Sequence, residues 1–135
     1  MDGLPVNSSR PGAAILLLED EDMVGMIVSE MLDHIGYETV LVREGEQAVA
    51  LYDERFQAGT PFSAVIMDLS IANGMGGEEA VTEVLKIDPA AKVIVSSGYS
   101  FDPAMLDYRN YGFRAALGKP FTIPDLSRVL KDLVQ

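Results

Sequence analysis

Apolar positions along this chain follow two alternating rhythms. Continuous runs such as Ala13-Ala14-Ile15-Leu16-Leu17-Leu18 and Ala64-Val65-Ile66-Met67 have no polar partner at every second position. Such runs predict strands buried on both faces, as in a parallel sheet. Between them, apolar residues fall three or four apart. Val24, Ile27, Val28, Met31 and Ile35 predict a helix from about Asp22, ended by Gly36. Glu38 to Val42 is a second strand, and residues from about Glu44 to Phe56 form a helix with Ala48, Leu51, Tyr52 and Phe56 on its apolar side. A third strand, Ser63 to Met67, leads into the glycine-rich loop Asn73-Gly74-Met75-Gly76-Gly77. The next helix carries Val81, Val84 and Leu85 inward until Asp88-Pro89 ends it.

The same alternation runs to the end of the chain. Lys92 to Ser96 is a fourth strand, Asp102 to Asn110 a weaker helix anchored by Met105 and Leu106, and Arg114 to Leu117 a short fifth strand. Thr122 is placed to cap a last helix, with Pro124 in its first turn and Leu126, Val129, Leu130 and Leu133 on one face. Strands and helices alternating at these spacings imply an α/β fold, a parallel sheet covered by helices on both sides. Residues 1–12, with Gly3, Pro5, Asn7, Ser8, Ser9, Pro11 and Gly12, have linker composition. The organisation expected is a lead-in over 1–12 and one domain over 13–135.

Composition narrows the chemistry. A chain of 135 residues is enough for one domain with a genuine core and not for two, and its net charge of −11 offers no basic stripe for nucleic acid and repels anionic membrane surfaces. With no cysteine, disulfides, thiolate metal sites and cysteine nucleophiles are excluded. No apolar run is long enough to span a membrane, and the N-terminus lacks a secretory pattern, so a cytoplasmic address is expected.

The polar groups at strand ends carry the chemistry. Glu19-Asp20-Glu21 follows the first strand, Asp68 the third, Ser96 and Ser97 close the fourth, and Lys119-Pro120-Phe121 follows the fifth. In open parallel sheets this carboxyl edge is where ligands bind. Glu19, Asp20 and Asp68 gathered there would repel one another unless a cation intervened. All-oxygen donors favour magnesium or manganese. A carboxylate can also accept a phosphoryl group, which makes Asp68 the candidate nucleophile and Lys119 a second positive charge for its oxygens. Taken singly, each feature has a plainer reading: an acidic helix start, a surface lysine, a serine-rich turn. Gly74, Gly76 and Gly77 lack the Lys-Ser or Lys-Thr pair of a nucleotide loop. His34 sits where an imidazole favours a helix C-terminus.

In order and spacing, Leu18-Glu19-Asp20-Glu21, Met67-Asp68-Leu69, Val95-Ser96-Ser97-Gly98-Tyr99 and Lys119-Pro120-Phe121 resemble the receiver domain of two-component response regulators. The resemblance spans about Ala13 to Leu133. Asn73-Gly74-Met75-Gly76-Gly77, Ser96-Ser97-Gly98-Tyr99-Ser100 and Tyr111-Gly112-Phe113 look most like receivers of hybrid sensor histidine kinases. The resemblance implies a flavodoxin-like (βα)5 sandwich with strand order 2-1-3-4-5. It makes Asp68 the phosphoacceptor and Asp20 a direct magnesium ligand, with Glu19 acting through water and Ser70 through its carbonyl. Ser97 would be the switch hydroxyl beside a small Gly98, and Lys119 would bind a phosphoryl oxygen and precede a cis peptide bond. The implied partner is a histidine kinase or phosphotransfer protein, and a weak homodimer through the fourth and fifth helices is frequent in the family. Beyond its own phosphoryl transfer and dephosphorylation, no enzymatic activity is implied.

Two positions depart from the family pattern. Ala116 replaces the aromatic residue that usually moves with the switch hydroxyl, and Ala72 stands where a proline is common. Ser70 and Tyr99 occupy variable positions that flank the phosphoryl group. Two other readings compete. A magnesium-dependent phosphohydrolase with an aspartyl nucleophile would want an acid at position 70, which is serine. A phosphate-independent binding module is kept open by Ala116. The organisation expected is that of a single-domain regulator or of a receiver taken from a hybrid kinase.

Overall fold

The computed structural model describes residues 13–72 and 74–134, so the expected lead-in over 1–12, Asn73 and Gln135 lie outside it. Five strands form one parallel sheet: β1 Ala14–Leu18, β2 Glu38–Val42, β3 Ala64–Asp68, β4 Val93–Ser97 and β5 Ala115–Gly118. Their order is β2-β1-β3-β4-β5, as the resemblance implies. Burial follows from that order. Every residue of β1, β3 and β4 is buried, whereas the edge strands β2 and β5 keep exposed positions. The continuous apolar runs are therefore the central strands.

Alternate residues of each strand supply two separate cores. Ala14, Leu16, Leu18, Val65, Met67, Val93 and Val95 face one way, beneath α2 (Gly45–Gln57) and α3 (Gly77–Ile87). Ile15, Leu17, Ala64, Ile66, Ile94 and Leu117 face the other, beneath α1 (Asp22–Ile35) and α5 (Ile123–Val134). Removing each large side chain from water stabilises the fold by about 1.5–3 kcal/mol before entropy is counted.

Helix ends follow the expected chemistry. Gly36 closes α1 at φ 113°, and Thr122 Oγ1 accepts from the Asp125 amide while Asp125 accepts from the Thr122 amide, a reciprocal cap on α5. Some strand bounds shift by one residue, so that Asp68 and Ser97 are the last residues of β3 and β4.

The expected helix over Asp102 to Asn110 is corrected. Only Pro103–Leu106 is α-helical (α4), capped by Asp102, and a 3-10 turn covers Tyr108–Tyr111. Leu106 is exposed; Ala104 and Met105 anchor the turn. Phe113 is buried in the core beyond them, with Tyr108 and Tyr111 packed against it. On α1, Ile27 is exposed and Leu32 takes the core position. Phe56 lies at the exposed rim of α2.

Candidate functional site

Register decides which side chains meet. Leu18 pairs with Met67, Asp68 with Ser96 and Ser97 with Gly118, so the carboxyl ends of the four strands lie level. The ladder continues one residue further. The Glu19 amide donates to Val42 O, Leu69 to Ser96 O and Lys119 to Ser97 O, which holds both charged residues on the sheet rather than on free loops. The topological switch point lies between β1 and β3 because their outgoing connections run to opposite faces. Glu19 and Asp20 leave one side of it, and Asp68 ends the other.

Glu19, Asp20 and Asp68 offer carboxylate oxygens that all lie within 4.8 Å of one another. Glu19 and Asp68 are each only 3% exposed, so water cannot screen them freely. Lys119 Nζ donates to Glu19 Oε1 at 2.8 Å and lies 3.1 Å from Asp68 Oδ2. Glu19 Oε2 accepts from the Glu21 amide, and Asp68 Oδ1 from the Ser70 amide. Asp20 Oδ2 accepts from the Ala72 amide at 3.0 Å. Arg43, exposed directly after β2, donates to Asp20 O and pairs with Asp22, bracing the turn that carries the acids.

One lysine does not balance three acids. At separations of a few ångströms each carboxylate pair repels by about 3–4 kcal/mol at an effective dielectric near 20. Lys119 cancels one formal charge, and a divalent cation would cancel the remainder. The donor set, all oxygen with no nitrogen or sulfur, fits magnesium.

Protonation follows from the same geometry. Burial pushes the Glu19 carboxyl above its ordinary value of 4.5 and the charge of Asp68 adds to the rise, against the pull of Lys119 and the Glu21 amide. Burial alone would lower Lys119, but its hydrogen bond to Glu19 and the charge of Asp68 raise it overall. For Glu19 the folded state holds a proton more tightly than the unfolded chain, so stability falls as pH rises from 4.5 through the raised value. The contribution of Lys119 stays complete below 10.5 and is lost only above that. In metal-free urea titrations, wild type is therefore expected to lose more stability from mildly acidic to neutral pH than Glu19→Gln. Equal slopes would refute this account of Glu19.

The groups open onto a cleft of about 370 Å³ lined by Asp20, Glu21, Asp68, Ser70, Gly98, Tyr99 and Lys119. Ser97 is buried, and its Oγ accepts from the Tyr99 amide at 3.0 Å. Ser96 is buried too, with no hydrogen-bond partner for its Oγ. A Cβ at Gly98 would meet nothing within 4 Å. Tyr99 is 72% exposed and Ala116 packs at the margin of the α2–α3 core. The Lys119–Pro120 bond is cis. Glu19, Asp20, Asp68 and Lys119 thus converge, Ser97 lies buried at the end of β4 next to Gly98, and His34 sits apart in the last turn of α1.

Residues 15–131 match the family model of the response regulator receiver domain. The chain belongs to that family. This receiver is 31% identical over 109 residues to the response regulator receiver protein Anae109_2439 of Anaeromyxobacter, covering 81% of this chain and 43% of the relative. It is 29% identical over 111 residues to the chemotaxis protein CheY of Thermotoga maritima, covering 82% of this chain and 88% of the relative. The crystal structure of the receiver domain of sensor histidine kinase PA1611 from Pseudomonas aeruginosa matches with a TM-score of 0.80 at 25% identity, over 91% of this chain and 98% of that one. That receiver has a magnesium ion coordinated in its active site cleft. The receiver described here spans less than half of the Anaeromyxobacter protein. It is a phosphoacceptor module of two-component signalling. Sequence reasoning missed the Glu19–Lys119 bond, the Arg43 brace and the Ala72 amide, because each joins residues far apart in the chain.

Proposed function

We propose that Asp68 is the phosphoacceptor, charged by a phosphohistidine on a histidine kinase or phosphotransfer protein. Its carboxylate oxygen bonds to phosphorus while the phosphorus–nitrogen bond breaks. The electron pair returns to the imidazole nitrogen, which takes a proton. The observation that carries this reading is the Asp68 carboxylate itself, held at the end of β3 on the cleft with Lys119 Nζ 3.1 Å from one oxygen. Transfer of a phosphoryl group is mostly a matter of positioning and charge neutralisation, and the site is built for both.

Asp20, Asp68 and the Ser70 carbonyl are the direct ligands proposed for magnesium, with manganese as a substitute. Glu19 acts mainly through water, as the family resemblance implies, while its two oxygens accept from Lys119 and the Glu21 amide. When bound, the ion supplies positive charge to the acids and to the incoming phosphoryl oxygens. Ser97 then exchanges the Tyr99 amide for a phosphoryl oxygen, and Lys119 moves from Glu19 toward the same group. With alanine at 116, the change travels through the loop after β4 rather than through a rotamer. Its catalytic work ends with its own phosphorylation and dephosphorylation.

The domain is taken as residues 13–135 behind a linker over 1–12, a cytoplasmic receiver of the hybrid-kinase type. A weak homodimer would rest chiefly on α5, because α4 is a single turn. Among the described residues no helix is long and apolar enough to cross a membrane.

Intact mass after incubation with acetyl phosphate tests the reading. A magnesium-dependent phosphoryl adduct, removed by hydroxylamine as an acyl phosphate and mapped to the β3 peptide, is expected. A folded, magnesium-binding protein that takes no adduct would instead be a phosphate-independent binding module.

A further inference from the structure

The loop that leaves Asp68 is tied down at two points. At its middle, the Ala72 amide donates to Asp20 Oδ2 at 3.0 Å, joining residues 52 positions apart. At its end, the Gly45 amide donates to Met75 O at 3.1 Å, and the Met75 amide reaches Glu46 Oε1 at 3.2 Å and Oε2 at 3.3 Å. The second tie needs its glycines. A Cβ at Gly45 would overlap the Met75 carbonyl, and Gly74 holds φ at 74° with Glu46 Oε1 where a Cβ would crowd it. The loop is thus fastened on one side to the first turn of α2 and on the other to an acid of the cleft.

We propose that the Ala72 amide is a positioning group for the cation site, holding Asp20 so that Oδ1 is left to the metal and making the loop part of the metal's outer shell. The inference rests on reading Glu19, Asp20 and Asp68 as a magnesium site. Its physical basis is an amide donating to a charged acceptor, the stronger kind of hydrogen bond. Partners of this kind orient metal ligands, and their loss typically weakens metal binding about 10–100-fold. Proline, common at this position in receivers, carries no N–H and cannot make the contact. Alanine here is therefore a gained donor as well as a lost rigid residue. Coupling is reciprocal: if the loop holds Asp20 for the ion, the ion must hold the loop.

Calorimetric titration with Mg2+ alone, on wild type, Ala72→Gly and Ala72→Pro, tests the proposal alongside amide hydrogen exchange with and without the ion. Ala72→Pro is expected to bind Mg2+ roughly tenfold more weakly, and Ala72→Gly, which keeps the N–H, to stay close to wild type. In wild type, Mg2+ is expected to slow exchange at both Ala72 and Met75. Glu46→Ala should lose the Met75 response and keep that of Ala72. A purely structural residue 72 would change stability and leave Mg2+ affinity alone. Equal affinity in Ala72→Pro and wild type, or exchange at Ala72 indifferent to the ion, overturns the proposal. Should Ala72→Pro fail to fold, the wild-type exchange data decide by themselves. If wild type binds no Mg2+, the site reading falls along with the inference; if it binds and the proline variant binds equally, only the inference falls.

Discussion

Asp68→Asn is expected to take no phosphoryl group from acetyl phosphate under conditions that load wild type. A carboxamide is nearly the same size but is not a nucleophile toward phosphorus, so the acyl phosphate cannot form. The substitution should leave the fold intact. The side-chain oxygen can still accept from the Ser70 amide, and Lys119 keeps its hydrogen bond to Glu19. Removing one charge also relieves part of the burden on Glu19, whose raised pKa has the Asp68 charge among its causes. Stability in urea should thus stay within about 1 kcal/mol of wild type. Intact mass checks the chemistry and the urea midpoint checks the fold. An adduct surviving in the variant at wild-type level would place the acceptor elsewhere and sink the assignment.

Lys119→Met is expected to destabilise the metal-free protein at neutral pH by about 3 kcal/mol, since removing one partner strands a buried charge. Glu19 would keep only the Glu21 amide, 3% exposed and beside another carboxylate. Methionine is the informative replacement because the lysine stem lines an apolar groove with Val24, Ile27, Val28, Met31, Pro120 and Phe121. A thioether chain preserves that packing and deletes the charge. The deficit should shrink at mildly acidic pH, where Glu19 takes up a proton and no longer needs a cation. Magnesium should recover part of it, by about 2.7 kcal/mol at a hundredfold excess over its dissociation constant. Urea unfolding at two pH values, with and without magnesium, measures all three. A variant as stable as wild type at neutral pH would mean that Lys119 is a solvated charge, and the electrostatic account of the site would fail.

Much of the architecture was legible because burial on both faces leaves an unambiguous mark. Leu16, Ile66 and Ile94 lie in unbroken apolar runs, and such runs are the central strands of a parallel sheet. Gly36 and Thr122 were legible as helix ends because caps act within a few residues. The segment around α4 was not. Leu106 has the right chemistry for a core anchor, but it is exposed, while Ala104, Met105 and Phe113 are buried in the core with Tyr108 and Tyr111 packed against it. Local pattern ranks candidates; packing chooses among them.

The chain by itself determined the strand–helix alternation, the placing of acids and a lysine at strand ends and the departures at Ala72 and Ala116. Each is a matter of residue type at a fixed spacing, and local physics reads it directly. Only the tertiary structure decided how the site's charges are shared. Lys119 pairs with Glu19 one hundred residues away, Asp20 is held by the Ala72 amide and Arg43 braces the acidic turn. Those contacts depend on strand order and register, which bring distant segments level at one sheet edge. A one-dimensional pattern carries no such distances, and hydrogen bonds and charge pairing act only across them.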